Sequence, residues 1–494
     1  TMEGPTTFEF SFVVNAKNEV RKNEFVQLNS TDGLLVGSVR ELLSANRYFE
    51  RAESISEYEK AGNSFSEQFP AGDWEYSVAR CVVLGVLEGG VLKRCAFPPA
   101  PGTKVLKAEP TIVREIAGFV PDGLAFGSLL AQEIPVQIGL TRLLQKHFAL
   151  LGMSGSGKSH AAAVLLEELL LRKKEFGRMG IVVFDAHGDY TGFADSRGEF
   201  GAHTKVIVGN EIRIGSHHLN ASLLKELLPE VTASGLRDFS KIMQKFLLER
   251  GGNAFELSEL IEAVQKDDLK ETVKAPLLSW MEELEEIDLF GRADSPDLKQ
   301  LVKPGKMIVF DLSDVDSLKK KQAIVAFFAR KLFSLRRKKQ VPPYLMLVEE
   351  AHNFAQEKAA KGSALSKSII ETIAREGRKF GACLALVSQR PVQLSTTALS
   401  QCNSFLVMRV TNPYDVDRIA ESCEGIDRAA QNQITSLRVG EGILLGEAVN
   451  FPLFLQVRQR RSSKAGKGKP LEEQAKEFEE SAATSHEGDE KAFL

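Results

Sequence analysis

The stretch that most constrains this chain is Phe148-Ala-Leu-Leu-Gly152-Met153-Ser154-Gly155-Ser156-Gly157-Lys158-Ser159-His160. Phe148 to Leu151 read as a short buried strand, and Ala161 to Leu171 as a strong helix former. Between them sits Gly-x-x-x-x-Gly-Lys-Ser in the strand-then-helix setting it requires. The glycines let successive backbone N–H groups turn inward around phosphate oxygens, at the positive end of the following helix. Lys158 then reaches the β- and γ-phosphates and the Ser159 hydroxyl sits on Mg²⁺, with His160 completing the lining. The expected ligand is a nucleoside triphosphate, ATP, with Mg²⁺.

A phosphate cradle needs a second group for magnesium and one to activate water. Tyr344-Leu-Met-Leu-Val348-Glu349-Glu350 reads as a buried strand ending in adjacent carboxylates. Neighbours on a strand face opposite ways, so one carboxylate meets the metal's water shell and the other the attacking water. Placed at the end of an apolar strand, they are costly unless they serve a cation or a hydrogen-bond network. Ile181 to Asp185 is another apolar strand, and Asp185 is placed to support the metal or the base. Cys383 to Ser388 ends in Gln389, suited to sensing the γ-phosphate at the carboxyl edge where ligands bind in open α/β sheets. Ile373 to Gly381 carries Arg375, Arg378 and Lys379. By themselves these cations read as the end of a helix, complementing its dipole before a glycine stop.

At 494 residues the chain is too long for one ordinary core. Residues 1–134 show short apolar or alternating runs broken by turns, including Phe8–Val14, Gly33–Val39, Ala79–Leu87 and Thr111–Ile116, and read as a small β-barrel. An acidic, Ser/Gly-rich stretch from Glu50 to Asp73 interrupts them. Residues 135–222 and 302–458 alternate near-continuous apolar strands with helices, the pattern of a parallel or mixed sheet covered on both faces. Residues 223–301 read as a helical insertion, and residues 459–494 as a tail with one helix around Leu471–Ser481. The net charge of −3 excludes a globally basic nucleic-acid coat, so any DNA contact must come from a local patch or a lined channel. Five dispersed cysteines fit a reducing compartment and argue against structural zinc. With no run of eighteen apolar residues and no basic-then-apolar N-terminus, the expectation is a cytoplasmic protein with no membrane segment.

Taken in order, Gly152–Ser159, Asp185-Ala-His-Gly-Asp-Tyr190, Val348-Glu-Glu-Ala-His352, Arg375-Glu-Gly-Arg-Lys-Phe-Gly381 and Ser388-Gln-Arg-Pro391 resemble the HerA family of the FtsK–HerA superfamily. The resemblance spans roughly residues 8 to 458, with His-Gly-Asp-Tyr where His-Gly-Glu-Tyr is common. It implies a RecA-like P-loop ATPase core, a HAS-barrel-like N-terminal domain and a homo-hexameric ring that translocates on double-stranded DNA. It makes Glu350 the catalytic carboxylate with Glu349 beside it, and Arg375 a finger given in trans, with Arg378 as the second candidate. Lys146 matches a cis cation near the nucleotide. The implied partner is a nuclease of the NurA kind in DNA end resection and repair, or an anti-phage defence effector, docking on the barrel face. The alternative is a nucleotide-gated ring scaffold that docks and regulates such an effector, with translocation secondary. In a ring, a few lysines per subunit can line a channel, and Lys358 and Lys361 in the loop after the carboxylate strand are the candidates for DNA contact.

Overall fold

In the computed structural model, residues 1–2, 4–14, 19–46, 75–251, 254–358, 364–423, 426–464 and 471–479 are described. The expected excursion from Glu50 to Asp73 lies outside them, as does Lys361. The chain divides into one unit of Thr1–Glu168 with Cys383–Gln459 and a second of Leu169–Ala382 with Arg460–Leu494.

The first unit begins with a six-stranded antiparallel sheet, in the order Glu9–Val14, Glu75–Glu88, Gly33–Asn46, Phe25–Ser30, Leu106–Lys107, with Val91–Lys93 also on Glu75–Glu88. The two long strands slip register between Val36 and Gly37 and between Val39 and Glu41, and such bulges curl a sheet into a barrel-like shape. Phe10, Phe12, Val26, Leu28, Leu35, Val39 and Val86 fill its core. Thr111–Ile116, expected as a strand, is instead part of the helix Pro110–Ala117. Six residues cannot separate a period of two from one of 3.6. The deciding features are Pro110 in the first turn, burial of Val113, Ile116 and Ala117 on one face, and left-handed Gly118 (φ 78°) closing the end.

The same unit holds a mixed sheet ordered Ala382–Ser388, Phe148–Leu151, Ser404–Met408, Glu441–Gly446, Leu453–Val457, Leu124–Leu129, Pro135–Ile138. Phe148–Leu151 lies parallel between its two neighbours, and every residue of it is buried. This burial on both faces explains its unbroken apolar sequence. The remaining pairs are antiparallel.

The second unit has a parallel sheet ordered Thr204–Val208, Met307–Asp311, Gly180–Asp185, Tyr344–Val348. Helices Ala221–Leu227, Ala233–Glu249, Leu257–Lys266 and Glu271–Glu286 follow one another between its strands. The long helix Leu318–Arg337 is capped by the Ser317 hydroxyl, which accepts from the Lys320 amide. Residues 471–479 are helical and exposed. Among the described residues no helix is long and apolar enough to cross a membrane.

Candidate active site

The glycine-rich loop leaves the carboxyl end of Phe148–Leu151 and enters the helix Lys158–Leu171. Backbone bonds hold it on several sides: Gly152 N–H donates to Ser388 O (3.3 Å), Met153 N–H to Arg409 O (2.8 Å), and Gly440 N–H to Ser156 O (3.0 Å). Gly155 and Gly157 have φ of 74° and 105°, which side chains rarely adopt. A Cβ at Gly157 would also lie 3.1 Å from Met408 Cε and 3.3 Å from the Gly440 nitrogen. Lys158, only 8% exposed, folds back over the loop and donates from Nζ to Met153 O at 2.9 Å. The Ser156 hydroxyl donates to the same carbonyl at 2.7 Å. An ammonium resting on a loop carbonyl, beside left-handed glycines and a helix N-terminus, is what an anionic phosphate chain requires. The loop therefore fits a triphosphate. Ser159 lies in the first helical turn, partly exposed, and Ser154 is exposed at the loop's tip.

Other expected members of this half are placed differently. Gln389 directly follows Ser388, the residue bonded to Gly152, and is partly exposed beside the loop. His160 Nε2 lies 2.8 Å from the carbonyl oxygen of Arg458, which can only accept, so the ring is committed to the last strand's end. Lys146 is not brought to the phosphate loop of its own chain. It precedes the amino end of Phe148–Leu151, whereas the loop leaves the carboxyl end, roughly 15 Å away at strand rise. Its ammonium pairs with Glu447. Sequence reasoning missed Arg409 and Gly440, which brace the loop from distant chain segments. Gly440 (φ 83°) was detectable only as the first of two glycines, with Gly442, before an apolar run.

The second unit gathers the carboxylates. Asp185 is fully buried, and its Oδ1 accepts from the amides of His187 (3.3 Å), Gly188 (2.8 Å) and Asp189 (3.1 Å), its Oδ2 from that of Tyr190 (2.9 Å). It shapes the loop that follows it, and His187 stands exposed on that loop. Burial raises the Asp185 carboxyl despite these amides and its hydrogen bond with Glu349, which pull it down. Glu349 is held well above the usual carboxylate range, first by burial and then by the neighbouring Asp185 and Asp189, to both of which it hydrogen-bonds. Tyr190, also fully buried, donates its hydroxyl to Glu349 Oε1 at 3.5 Å.

The strand stops at Val348, so strand alternation is not what separates the two glutamates. Glu350 turns the chain in the left-handed region (φ 48°, ψ 44°) into the short helix Ala351–Phe354. Its carboxylate is buried against His352, with Oε2 3.2 Å from Nδ1. A left-handed, non-glycine, buried acid is unusual backbone of the kind found at functional sites.

Arg375 lies in the last turn of the helix Lys367–Glu376, with half its side chain exposed and 3.9 Å from Glu371. Arg378 and Lys379 are exposed on the 3-10 turn that continues it to Gly381. Lys358 is exposed.

Residues 124–332 match the family model described as "Helicase HerA, central domain". The chain is 28% identical to the DNA double-strand break repair helicase HerA of Pyrococcus furiosus, across 94% of this chain and 92% of that protein. It is 27% identical to the protein of the same name from Saccharolobus solfataricus, across 78% of each. Among solved structures, VirB4 of Thermoanaerobacter pseudethanolicus superposes with a TM-score of 0.54 at 12% identity, covering 69% of this chain and 97% of that one, a likeness of fold.

Proposed function

We propose that this chain, similar to the HerA helicases in residues 124–332 and to HerA relatives over most of its length, is a HerA-type P-loop ATPase and a homo-hexameric motor on double-stranded DNA. In this reading it processes DNA ends for repair with a partner nuclease, or serves a defence effector, docked on the face of the N-terminal sheet. The observation that carries the reading is the braced loop Gly152–Ser159 with Lys158 folded onto it. The relatives named as double-strand break repair helicases supply the substrate class.

When bound, ATP supplies the γ-phosphoryl group for transfer to water, and Mg²⁺ neutralises the charge of its oxygens. The chain's own residues then divide the work. Lys158 and the loop amides bind and orient the phosphates, and the Ser159 hydroxyl with Glu349 would hold the metal. Asp185 supports Glu349 by hydrogen-bonding to it and by fixing the loop beside it through the backbone amides its oxygens accept from. Glu350 accepts the proton of the attacking water, and Gln389 senses the γ-phosphate. Arg375, with Arg378 behind it, reaches the neighbouring subunit's site, which its exposure permits. A sixfold ring also accommodates the net charge of −3, because a few channel lysines such as Lys358 and Lys361 are repeated around the duplex.

The test is triplex displacement on duplex DNA with and without ATP, alongside native mass spectrometry. Six-membered rings, duplex-stimulated hydrolysis and ATP-dependent displacement are expected. Hydrolysis indifferent to DNA, with no displacement and with effector activity intact in Glu350→Gln, would replace the motor by the nucleotide-gated scaffold.

A further inference from the structure

Glu350 is aimed by a turn that cannot hold itself. The helix it enters has four residues, Ala351–Phe354, closed by Asn353 N–H on Glu350 O and Ala355 N–H on Ala351 O, both at 2.8 Å. A single turn has no cooperative stability, and the carbonyls at its end need partners from elsewhere. The Asn353 carbonyl finds one in Gln322, whose Nε2 donates to it at 2.7 Å.

Gln322 is 2% exposed and lies on the helix Leu318–Arg337, in a stretch where Ala323, Ile324, Val325 and Phe328 are also buried. An amide there is costly unless its hydrogen bonds are made, and an aliphatic residue would suit packing alone. The preceding residue, Lys321, donates from Nζ to the Ala186 carbonyl at 3.4 Å, in the loop that Asp185 shapes. Two consecutive residues of one helix thus hold the two acid-bearing loops.

We infer that Gln322 is a positioning residue for Glu350: by holding the Asn353 carbonyl it maintains the left-handed entry that aims the carboxylate. The inference rests on the reading of Glu350 as the group that activates water. Lys321 steadies the Asp185 loop in the same manner.

The test uses full-length Gln322→Met, of similar length but without a donor, and Gln322→Leu. We expect kcat for ATP to fall about tenfold or more, as a misaimed catalytic group does. KM and the affinity for a fluorescent ATP analogue should stay within about twofold, because the phosphate loop is built from other residues. Restoring a donor with Gln322→Lys should recover part of kcat, which a packing role would not allow. In a Glu350→Gln background, Gln322→Met should change residual turnover no further. Unchanged kcat in both apolar variants overturns the proposal. So does loss of nucleotide affinity in step with kcat, or failure of both to fold, since either makes Gln322 a structural amide. Full turnover in Glu350→Gln alone would instead overturn the parent reading, in a separate arm of the experiment.

Discussion

Replacing Glu350 by Gly and by Ala separates its chemistry from its backbone. Both substitutions remove the carboxylate, so both should abolish hydrolysis. They differ in what they do to a residue held at φ 48°, ψ 44°. The left-handed conformation costs an L-residue about 1–2 kcal/mol, and glycine does not incur it. Glycine loses more backbone freedom on folding, a penalty of about 0.5–1 kcal/mol relative to alanine. The difference leaves Glu350→Gly more stable than Glu350→Ala by roughly 0.5–1 kcal/mol, opposite in sign to an ordinary helix or strand site. At about 2–4 °C per kcal/mol for a body of this size, the melting temperatures should differ by roughly 1–4 °C. Differential scanning calorimetry of the two inactive proteins, under identical nucleotide-free conditions, reads this directly. Equal melting temperatures, or a more stable alanine variant, would refute the claim that position 350 is strained.

Other outcomes follow from the same contacts. Lys158→Ala should abolish nucleotide binding as well as turnover, measured by equilibrium titration with a fluorescent ATP analogue; retained tight binding would remove Lys158 from the phosphate site. Arg458 donates from its two terminal nitrogens to Glu167 and Glu168 at 2.7 Å, and Glu167 is fully buried. Arg458→Met should therefore cost about 3–5 kcal/mol in urea unfolding, with much of the loss recovered when Glu167→Gln is added. If Arg375 acts in trans, Arg375→Ala and Glu350→Gln should each be inactive alone yet regain turnover when mixed and reassembled, because some interfaces then combine an intact glutamate with an intact arginine. No recovery in rings shown to be mixed would refute the trans role.

What the sequence made legible was local. The phosphate loop is a contiguous signature, so its glycines, Lys158 and Ser159 were readable without knowledge of the fold. The buried strands were readable because an unbroken apolar run has few other meanings. The helix Pro110–Ala117 was not, since six residues such as Thr111–Ile116 satisfy both periods. Lys146 was carried in by resemblance, yet strand polarity alone separates a residue before Phe148 from a loop after Leu151. Asp185 was seen as a carboxylate at a strand end. That its oxygens would be occupied by the amides of its own loop depends on a turn geometry no spacing encodes.

The least legible features are the two places where a non-glycine residue is bent into the left-handed region at the end of a functional strand. His147 (φ 65°) precedes the phosphate-loop strand, and Glu350 (φ 48°) follows the carboxylate strand. Glutamate does not announce such a backbone and histidine only weakly does, so tertiary partners decide it. For His147 the partner is its own buried ring, whose Nδ1 accepts the Leu384 amide at 3.0 Å. That strain is compensated on the spot and needs no functional account. Glu350 differs, because its turn is held from outside, by Gln322 on another helix, while its own side chain is buried against His352. Strain held in place by surrounding structure clusters at active sites, where the aim of a side chain is part of the mechanism. On that ground we propose Glu350, rather than Glu349 beside Asp185, as the carboxylate that receives the proton from water.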